Sequence, residues 1–215
     1  METKDRKIDI LSPFGPRIAK AQFTESIINK INNFVDEVVS SQTLSKKYDL
    51  GKNLAGQVSQ EITLPEEIFK GEISDFLFDA TKVYVKAVTD REITKFSILN
   101  TWVVRQFKSE YNPTHWHSAH ISGVGYIKMP DSFGKSFQQQ KTSNPHGYIN
   151  FVHGTRQFLS GAIYSKKPKV GDVYFFPNYM MHSVYPFYSD GERRSWSFNI
   201  LIDDDIYNVY SAKLD

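Results

Sequence analysis

The chain of 215 residues contains no cysteine. Disulfides, thiolate zinc sites and cysteine nucleophiles are therefore excluded. It also lacks a strong charge of either sign, since 26 Lys and Arg against 24 Asp and Glu leave a net +2. Binding a phosphate backbone needs basic residues gathered on one face. Here the short runs Lys46-Lys47 and Lys166-Lys167 are scattered among acids and read as solvated surface. No nucleic-acid partner is expected. Long apolar runs are missing too. The opening METKDRKIDI carries charges but no stretch of signal-peptide length, and no segment approaches the roughly 20 residues of a membrane span. The expectation is a soluble, cytoplasmic protein with no membrane partner.

Histidine is scarce as well, with six in the chain, yet three of them fall at positions 115, 117 and 120. They stand in the stretch NPTHWHSAHISGVGYIKMP, residues 112–130. Otherwise the composition is that of a globular protein, with 40% hydrophobic and 23% charged residues. That is enough apolar surface to offset chain entropy. The length suits one full domain, read as 1–215, with a helical part over about 1–92 and a β core over about 93–205. Sixteen Phe and twelve Tyr tilt the core towards strands, where aromatic side chains fit the pleated surface.

Periodicity locates the elements. Ile27, Ile28, Ile31, Phe34, Val38 and Val39 recur at helical spacing and predict a helix over about 24–41. The polar stretch 41–60 reads as irregular. Thr63-Leu64-Pro65-Glu66 fits a capping box with proline in the first turn. The stripe Ile73, Phe76, Leu77, Ala80, Tyr84 and Ala87 then carries a second helix to Thr89-Asp90. After Lys95, short Val-, Ile- and aromatic-rich segments predict strands at 96–108, about 114–128, 147–153, 161–166, 172–176, 182–187 and 193–201. Strands at this spacing indicate an antiparallel sandwich or jelly roll, with the helices bracing one face. The insert DSFGKSFQQQKTSNP, residues 131–145, reads as a mobile lid.

Residues two apart in a strand share a face. His115 and His117 therefore project together, and His120 faces away. His182, in FFPNYMMHSVYPF, stands just past a strand that Pro177 ends. A jelly roll can bring these strand ends together, placing His115, His117 and His182 around one metal ion, for which neutral imidazole is a good ligand. In SDGERRSWSFNI the alternation puts Arg193, Ser195 and Ser197 on one face and Arg194, Trp196 and Phe198 on the other. An arginine with a serine beside it makes a socket for a carboxylate. Spacing alone leaves surface histidines and a surface Arg-Arg pair as the alternatives.

The order of these pieces carries more than any one of them. A histidine pair, then SGVGYIKMP, then GDVYFFPNYMMHSV, then Arg193 with Ser195, resembles the iron- and 2-oxoglutarate-dependent oxygenases on the double-stranded β-helix (cupin-like jelly-roll) fold. It is most similar to an uncharacterised bacterial and phage branch with an H-x-H, "G-D-x-x-x-FP…H-x-V" and "R-x-S-x-x-FN" pattern, over about residues 96–201. The resemblance implies a dioxygenase, in the first instance a hydroxylase that releases succinate and CO2, with Fe(II) and 2-oxoglutarate as cofactors. Carried over residue by residue, it makes His115 and His182 iron ligands. Arg193 becomes the residue for the far carboxylate of 2-oxoglutarate, with Ser195 assisting and Tyr126 joining the cofactor-binding set; Arg194 is the fallback.

One position departs from the wider superfamily, which has a carboxylate two residues after the first histidine. Here it is His117, taken as the third ligand, with Glu110, Asp131 or an open position as alternatives. Trp116, Tyr126, Tyr179 and Tyr185 are candidates to line a substrate cleft. Gly123 and Gly125 suggest a close approach or a bulge beside the site. Two other readings stay open: a three-histidine dioxygenase that does not use 2-oxoglutarate, and a non-catalytic jelly-roll binding module. The substrate, small molecule or peptidyl, is not legible. Lys135 and Lys141 in the insert suit an anionic one, and an exposed edge strand suits a homodimer.

Overall fold

In the long C-terminal strand, Trp196, Phe198 and Ile200 alternate with Ser195, Ser197 and Asn199, and all six are buried, with a register shift between Asn199 and Ile200. A strand buried on both faces must be covered on both sides, and each side here has its own cover. A computed structural model describes residues 14–208, so the stretch METKDRKIDI lies outside the described residues.

The described chain runs β1 (Ala19–Gln22), α1 (Glu25–Ser40), α2 (Gln42–Tyr48), a 3-10 turn (Gly51–Asn53), β2 (Gln60–Thr63), α3 (Glu66–Phe69) and α4 (Glu72–Thr89). It continues through β3 (Phe96–Gln106), β4 (Asn112–His115), β5 (Ile121–Lys128), β6 (Ile149–Val152), β7 (Ile163–Lys166), β8 (Asp172–Pro177), β9 (Met181–Val184), β10 (Arg193–Ile202) and α5 (Asp204–Tyr207). Two sheets result, one of six strands in the order β1-β8-β5-β10-β3-β2 and one of four in the order β4-β9-β6-β7. Their strand pairs are antiparallel. From β3 onward the chain passes repeatedly from one sheet to the other, which is the jelly-roll topology expected.

The outer face of the large sheet carries the helices. Ile27, Ile31, Val35 and Val38 of α1 and Ile73 and Leu77 of α4 share one core with Trp196, Phe198, Phe175 and Val173. Fully burying each aliphatic side chain contributes about 1.5–3 kcal/mol. Thr24 starts α1 by accepting from the backbone N–H of Ile27 at 3.2 Å. A charged cluster ties α1 down: Arg194 reaches Asp36 at 2.6 Å and Glu192 at 2.8 Å, and Arg105 and Lys128 also donate to Glu192. The inner face meets the small sheet across a second core of Val124, Tyr126, Ile149, Phe151, Tyr174, Phe176, Met180 and Val184.

Several local expectations are corrected. The stretch 41–60 contains α2, because Ser41 caps it by accepting from Leu44 N–H. Thr63 caps nothing: it ends β2, edge strand of the large sheet. Only the four-residue α3 follows Pro65, and α4 begins after Gly71, whose φ of +77° interrupts the helix. The strand expected at 114–128 is two strands in different sheets, β4 and β5. Gly123 and Gly125 do not face the histidines. A Cβ on Gly123 would lie 2.1 Å from the Phe198 ring and one on Gly125 2.0 Å from the Phe23 ring, so both glycines make room for aromatic rings under the helices. The insert at 131–145 is anchored elsewhere than over the histidines. Phe133 packs on Phe187, its carbonyl accepts from Tyr188 N–H, and Phe137 packs on Tyr188.

Candidate metal centre

β4 is an edge strand of the small sheet, so Pro113, which has no N–H to donate, fits there. Two residues on, His115 is the direct cross-strand partner of His182 on β9, and their rings lie 4.3 Å apart. The chain then turns away, with His117 N–H bonded to the Asn178 carbonyl, and brings the His117 ring to 5.2 Å from His115 and 4.9 Å from His182. One ring nitrogen from each of the three lies within 4.8 Å of the others. This is the trio read from the sequence, including His117 where the wider superfamily has a carboxylate.

Each ring is held so that one nitrogen stays bare. His115 Nδ1 lies 2.7 Å from the Pro113 carbonyl and His182 Nδ1 lies 2.9 Å from that of Met180. A carbonyl only accepts, so both Nδ1 atoms carry the proton and Nε2 keeps its lone pair. His117 Nδ1 lies 3.0 Å from Asn199 Oδ1. The amide orientation of Asn199 is fixed from two sides: Ser122 Oγ donates to its Oδ1 at 2.8 Å, and its Nδ2 donates to Asn100 at 2.8 Å. Burial lowers the pKa of all three rings, that of His117 to about 4, and for His182 the neighbouring His115 and His117 lower it further. The imidazoles are neutral at pH 7 and ready to ligate. Phe176 and Phe151 cover the His182 ring on the inner side.

The other candidates fall elsewhere. His120 is structural, its Nδ1 accepting from Ile202 N–H at 3.1 Å while its ring stacks 4.0 Å from Tyr207. Glu110 is occupied by Ser59 and the Phe107 N–H, and Asp131 lies in the exposed insert. Neither acid joins the histidine cluster. Trp116 lines the cavity over the histidines. Tyr126 is fully buried, and Tyr179 and Tyr185 are exposed away from that cavity.

Arg193 and Arg194 face opposite ways, as the alternation requires. Arg193 is 1% exposed on the inner side, where Nη1 donates to Gln106 at 2.5 Å. Its Nε and Nη2 are buried without any hydrogen-bond partner, and it makes no ion pair among the described residues. Its guanidinium lies 4.9 Å from the centre of the Tyr126 ring and interacts with the buried Tyr126 hydroxyl, without the two meeting in a well-formed hydrogen bond. Ser195, buried beside them, has Tyr126 as its cross-strand partner. A buried cation without a counter-charge is costly. The unpaired Nε and Nη2 form one edge of the guanidinium fork, the geometry that takes a carboxylate through two hydrogen bonds. The donor set therefore fits both groups of the family implied by the sequence: three neutral imidazoles for Fe(II), and an unpaired arginine fork for a dicarboxylate.

Sequence reasoning missed Asn199, Gln106 and Glu61. Asn199 had a signal, since it shares the parity of Arg193, Ser195 and Ser197 on β10. Glu61 had none, standing in a four-residue edge strand.

Comparison with known proteins agrees with this geometry. Residues 100–199 match the family described as "Putative 2OG-Fe(II) oxygenase". No curated protein matches the sequence. Among solved structures, a collagen prolyl hydroxylase from Paramecium bursaria Chlorella virus-1, in complex with 2-oxoglutarate, superposes with a TM-score of 0.53 at 16% identity, over 85% of this chain and 94% of that one. A Pseudomonas putida prolyl-4-hydroxylase gives 0.54 at 12%, over 85% and 91%. HygX from Streptomyces hygroscopicus, with nickel, 2-oxoglutarate and hygromycin B bound, gives 0.54 at 10%, over 85% and 82%. Identities this low carry the fold alone. The fold is thus a jelly roll, and its three-histidine cluster is fit to hold a metal ion. The family match spans the jelly-roll part of the chain, residues 100–199, which with its three-histidine cluster forms a 2OG-Fe(II) oxygenase family domain whose cofactors are Fe(II) and 2-oxoglutarate. No helix among the described residues is long and apolar enough to cross a membrane.

Proposed function

We propose that His115, His117 and His182 hold Fe(II) through Nε2, that Arg193 with Ser195 and Tyr126 receives the distal carboxylate of 2-oxoglutarate, and that the enzyme hydroxylates its substrate. The observation that carries this is the unpaired Nε and Nη2 edge of a fully buried Arg193. When bound, Fe(II) with 2-oxoglutarate supplies the oxidising chemistry, in which one atom of O2 enters succinate, the other enters a substrate C–H bond, and CO2 leaves.

The chain's own residues prepare this chemistry. The Pro113, Met180 and Asn199 oxygens hold the three rings in one tautomer, so no proton has to leave before a metal binds. Three neutral ligands bring no negative charge to the centre, which favours a dianionic cosubstrate. Arg193 answers the other end of that dianion from a site that water does not reach. Phe151 and Phe176 keep the His182 side dry.

Anaerobic titration with Fe(II) and then 2-oxoglutarate tests the assignment. A visible charge-transfer band is expected to need both additions, to vanish in His182→Ala, and to require at least tenfold more 2-oxoglutarate in Arg193→Ala. Fe(II) binding with no response to 2-oxoglutarate would remove Arg193 from the cofactor site. No Fe(II) binding at all would make the histidines structural.

A further inference from the structure

Glu61 is a buried acid that this chemistry leaves without a task. Its place in β2 opposite Val104 turns it to the inner side of the large sheet, where it is 2% exposed and its Oε2 has no hydrogen-bond partner. No lysine or arginine pairs with it among the described residues. Asn112 Oδ1 is buried and unpartnered nearby. Asn112 Oδ1 and the other oxygen of the Glu61 carboxylate, Oε1, converge on Gly56: a Cβ built there would lie 2.5 Å from the first and 2.7 Å from the second. Two acceptors on so small a span can be bridged by one nitrogen donor.

These groups line a cavity of about 520 Å³ that reaches His115 and His117. Trp102 and Trp116 belong to its wall, one buried and one at the exposed rim. The cavity has no lysine, no arginine and no second acid in its lining, and Arg193 is not part of it. Its volume suits a small molecule or a long side chain. An uncompensated carboxylate, an orphan carbonyl oxygen and aromatic faces together favour a cation. The insert lysines Lys135 and Lys141, which pointed to an anion, do not line it.

We infer that this cavity is the substrate site and that Glu61 and Asn112 receive a cationic nitrogen of the substrate, a primary amine or guanidine, with the reacting carbon held towards the histidines. The inference rests on the metal assignment above, because the histidines mark the reacting end. Trp102 and Trp116 supply a readout that needs no metal. The full-length protein is titrated at pH 8 and fixed ionic strength with n-butylammonium, n-butanol and butyrate, following tryptophan fluorescence, first without metal and then with Ni(II) and 2-oxoglutarate. Saturable binding of butylammonium is expected, at least tenfold tighter than the alcohol or the acid. Glu61→Gln is expected to lose at least tenfold of it, and Gly56→Ala, whose methyl would crowd both oxygens, to do the same. Equal binding of the three probes, or full affinity in Glu61→Gln, overturns the inference. Loss of the Fe(II)–2-oxoglutarate band in Glu61→Gln also overturns it, by moving Glu61 into the metal centre. Absence of that band in the unaltered protein would instead count against the metal assignment, leaving the fluorescence comparison to decide the amine site.

Discussion

Arg193 and Arg194 present the same edge of the guanidinium to opposite sides of one strand, and only one of them has a partner there. Arg194 places Nε 2.8 Å and Nη2 3.1 Å from the two carboxylate oxygens of Glu192. Arg193 holds the same two atoms buried and unpaired. The protein thus contains, one residue away, the arrangement that an incoming carboxylate would complete.

The two arginines should therefore respond oppositely to replacement by methionine. Arg193→Met removes a buried charge that has no counter-ion, so the fold without cofactors should be as stable or more so. Stabilisation by 2-oxoglutarate should disappear, which at a hundredfold excess over Kd is about 2.7 kcal/mol. Arg194→Met strips Glu192 and Asp36 of a partner and should cost about 3–5 kcal/mol. Thermal unfolding of the Ni(II)-loaded proteins, with and without 2-oxoglutarate, checks both. Retained stabilisation in Arg193→Met would show that the carboxylate binds elsewhere.

Asn199 matters through His117. Its Oδ1 accepts the His117 Nδ1 proton from an amide fixed by Ser122 and Asn100, so Asn199→Ala frees the ring to turn and to change tautomer. Metal affinity should fall by roughly 10–100-fold, the usual effect of losing a group that orients a ligand. Calorimetric titration with Ni(II) measures this directly. A purely structural Asn199 would lower the Tm and leave the affinity of the folded protein unchanged.

The parts of this protein that were legible in its sequence are those with a strong local period. The alternation of β10 separated Arg193 from Arg194, and the order of short motifs placed His182 with a histidine pair some 65 positions away, His115 and His117. What could not be read lacks such a period. β1 and β2 are four-residue edge strands drawn from the helical half of the chain, and their pairing depends on the finished sheet. Thr63 looked like a helix cap because a capping box and a strand end before proline share the same residues. Gly123 and Gly125 looked like part of the site because a sequence does not show which side a ring approaches from. Glu61 was invisible for the first of these reasons, since its burial follows from the placement of β2 against β3.

Glu192 should make the fold acid-sensitive. Burial alone would raise its pKa, but hydrogen bonds from Arg194, Arg105 and Lys128 outweigh that and hold it at about 2. A carboxyl held below its unfolded value stabilises the folded state at every pH above that value, and the contribution is lost as the pH falls through the folded pKa. Stability should thus drop between about pH 4.5 and 2 by roughly 3 kcal/mol from this group alone. Chemical denaturation across that range should show a shallower drop in Glu192→Gln, from a starting point already lower at pH 7. An equal drop in both proteins would assign the acid sensitivity to other carboxylates.

Glu61 should have the opposite sign. Burial, with Asp49 adding to it, raises its pKa to about 7, while burial lowers the pKa of His115 and His117, the titratable groups sharing its cavity. The folded state then holds a proton that the unfolded state has already released, so the contribution of Glu61 to stability falls as the pH rises from about 4.5 to 7 and levels off above 7. The full loss is about 3 kcal/mol. Glu61→Gln cannot titrate, so across this window its stability should gain about 3 kcal/mol relative to that of the unaltered protein and stay higher above pH 7. A steeper profile, or a less stable variant at pH 8, would mean that the carboxylate has a partner in the fold. An amine seated on Glu61 favours the ionised form, so saturating n-butylammonium should stabilise the unaltered protein more at pH 8 than at pH 5. A buried acid kept only for packing would show the pH slope without that response to the amine.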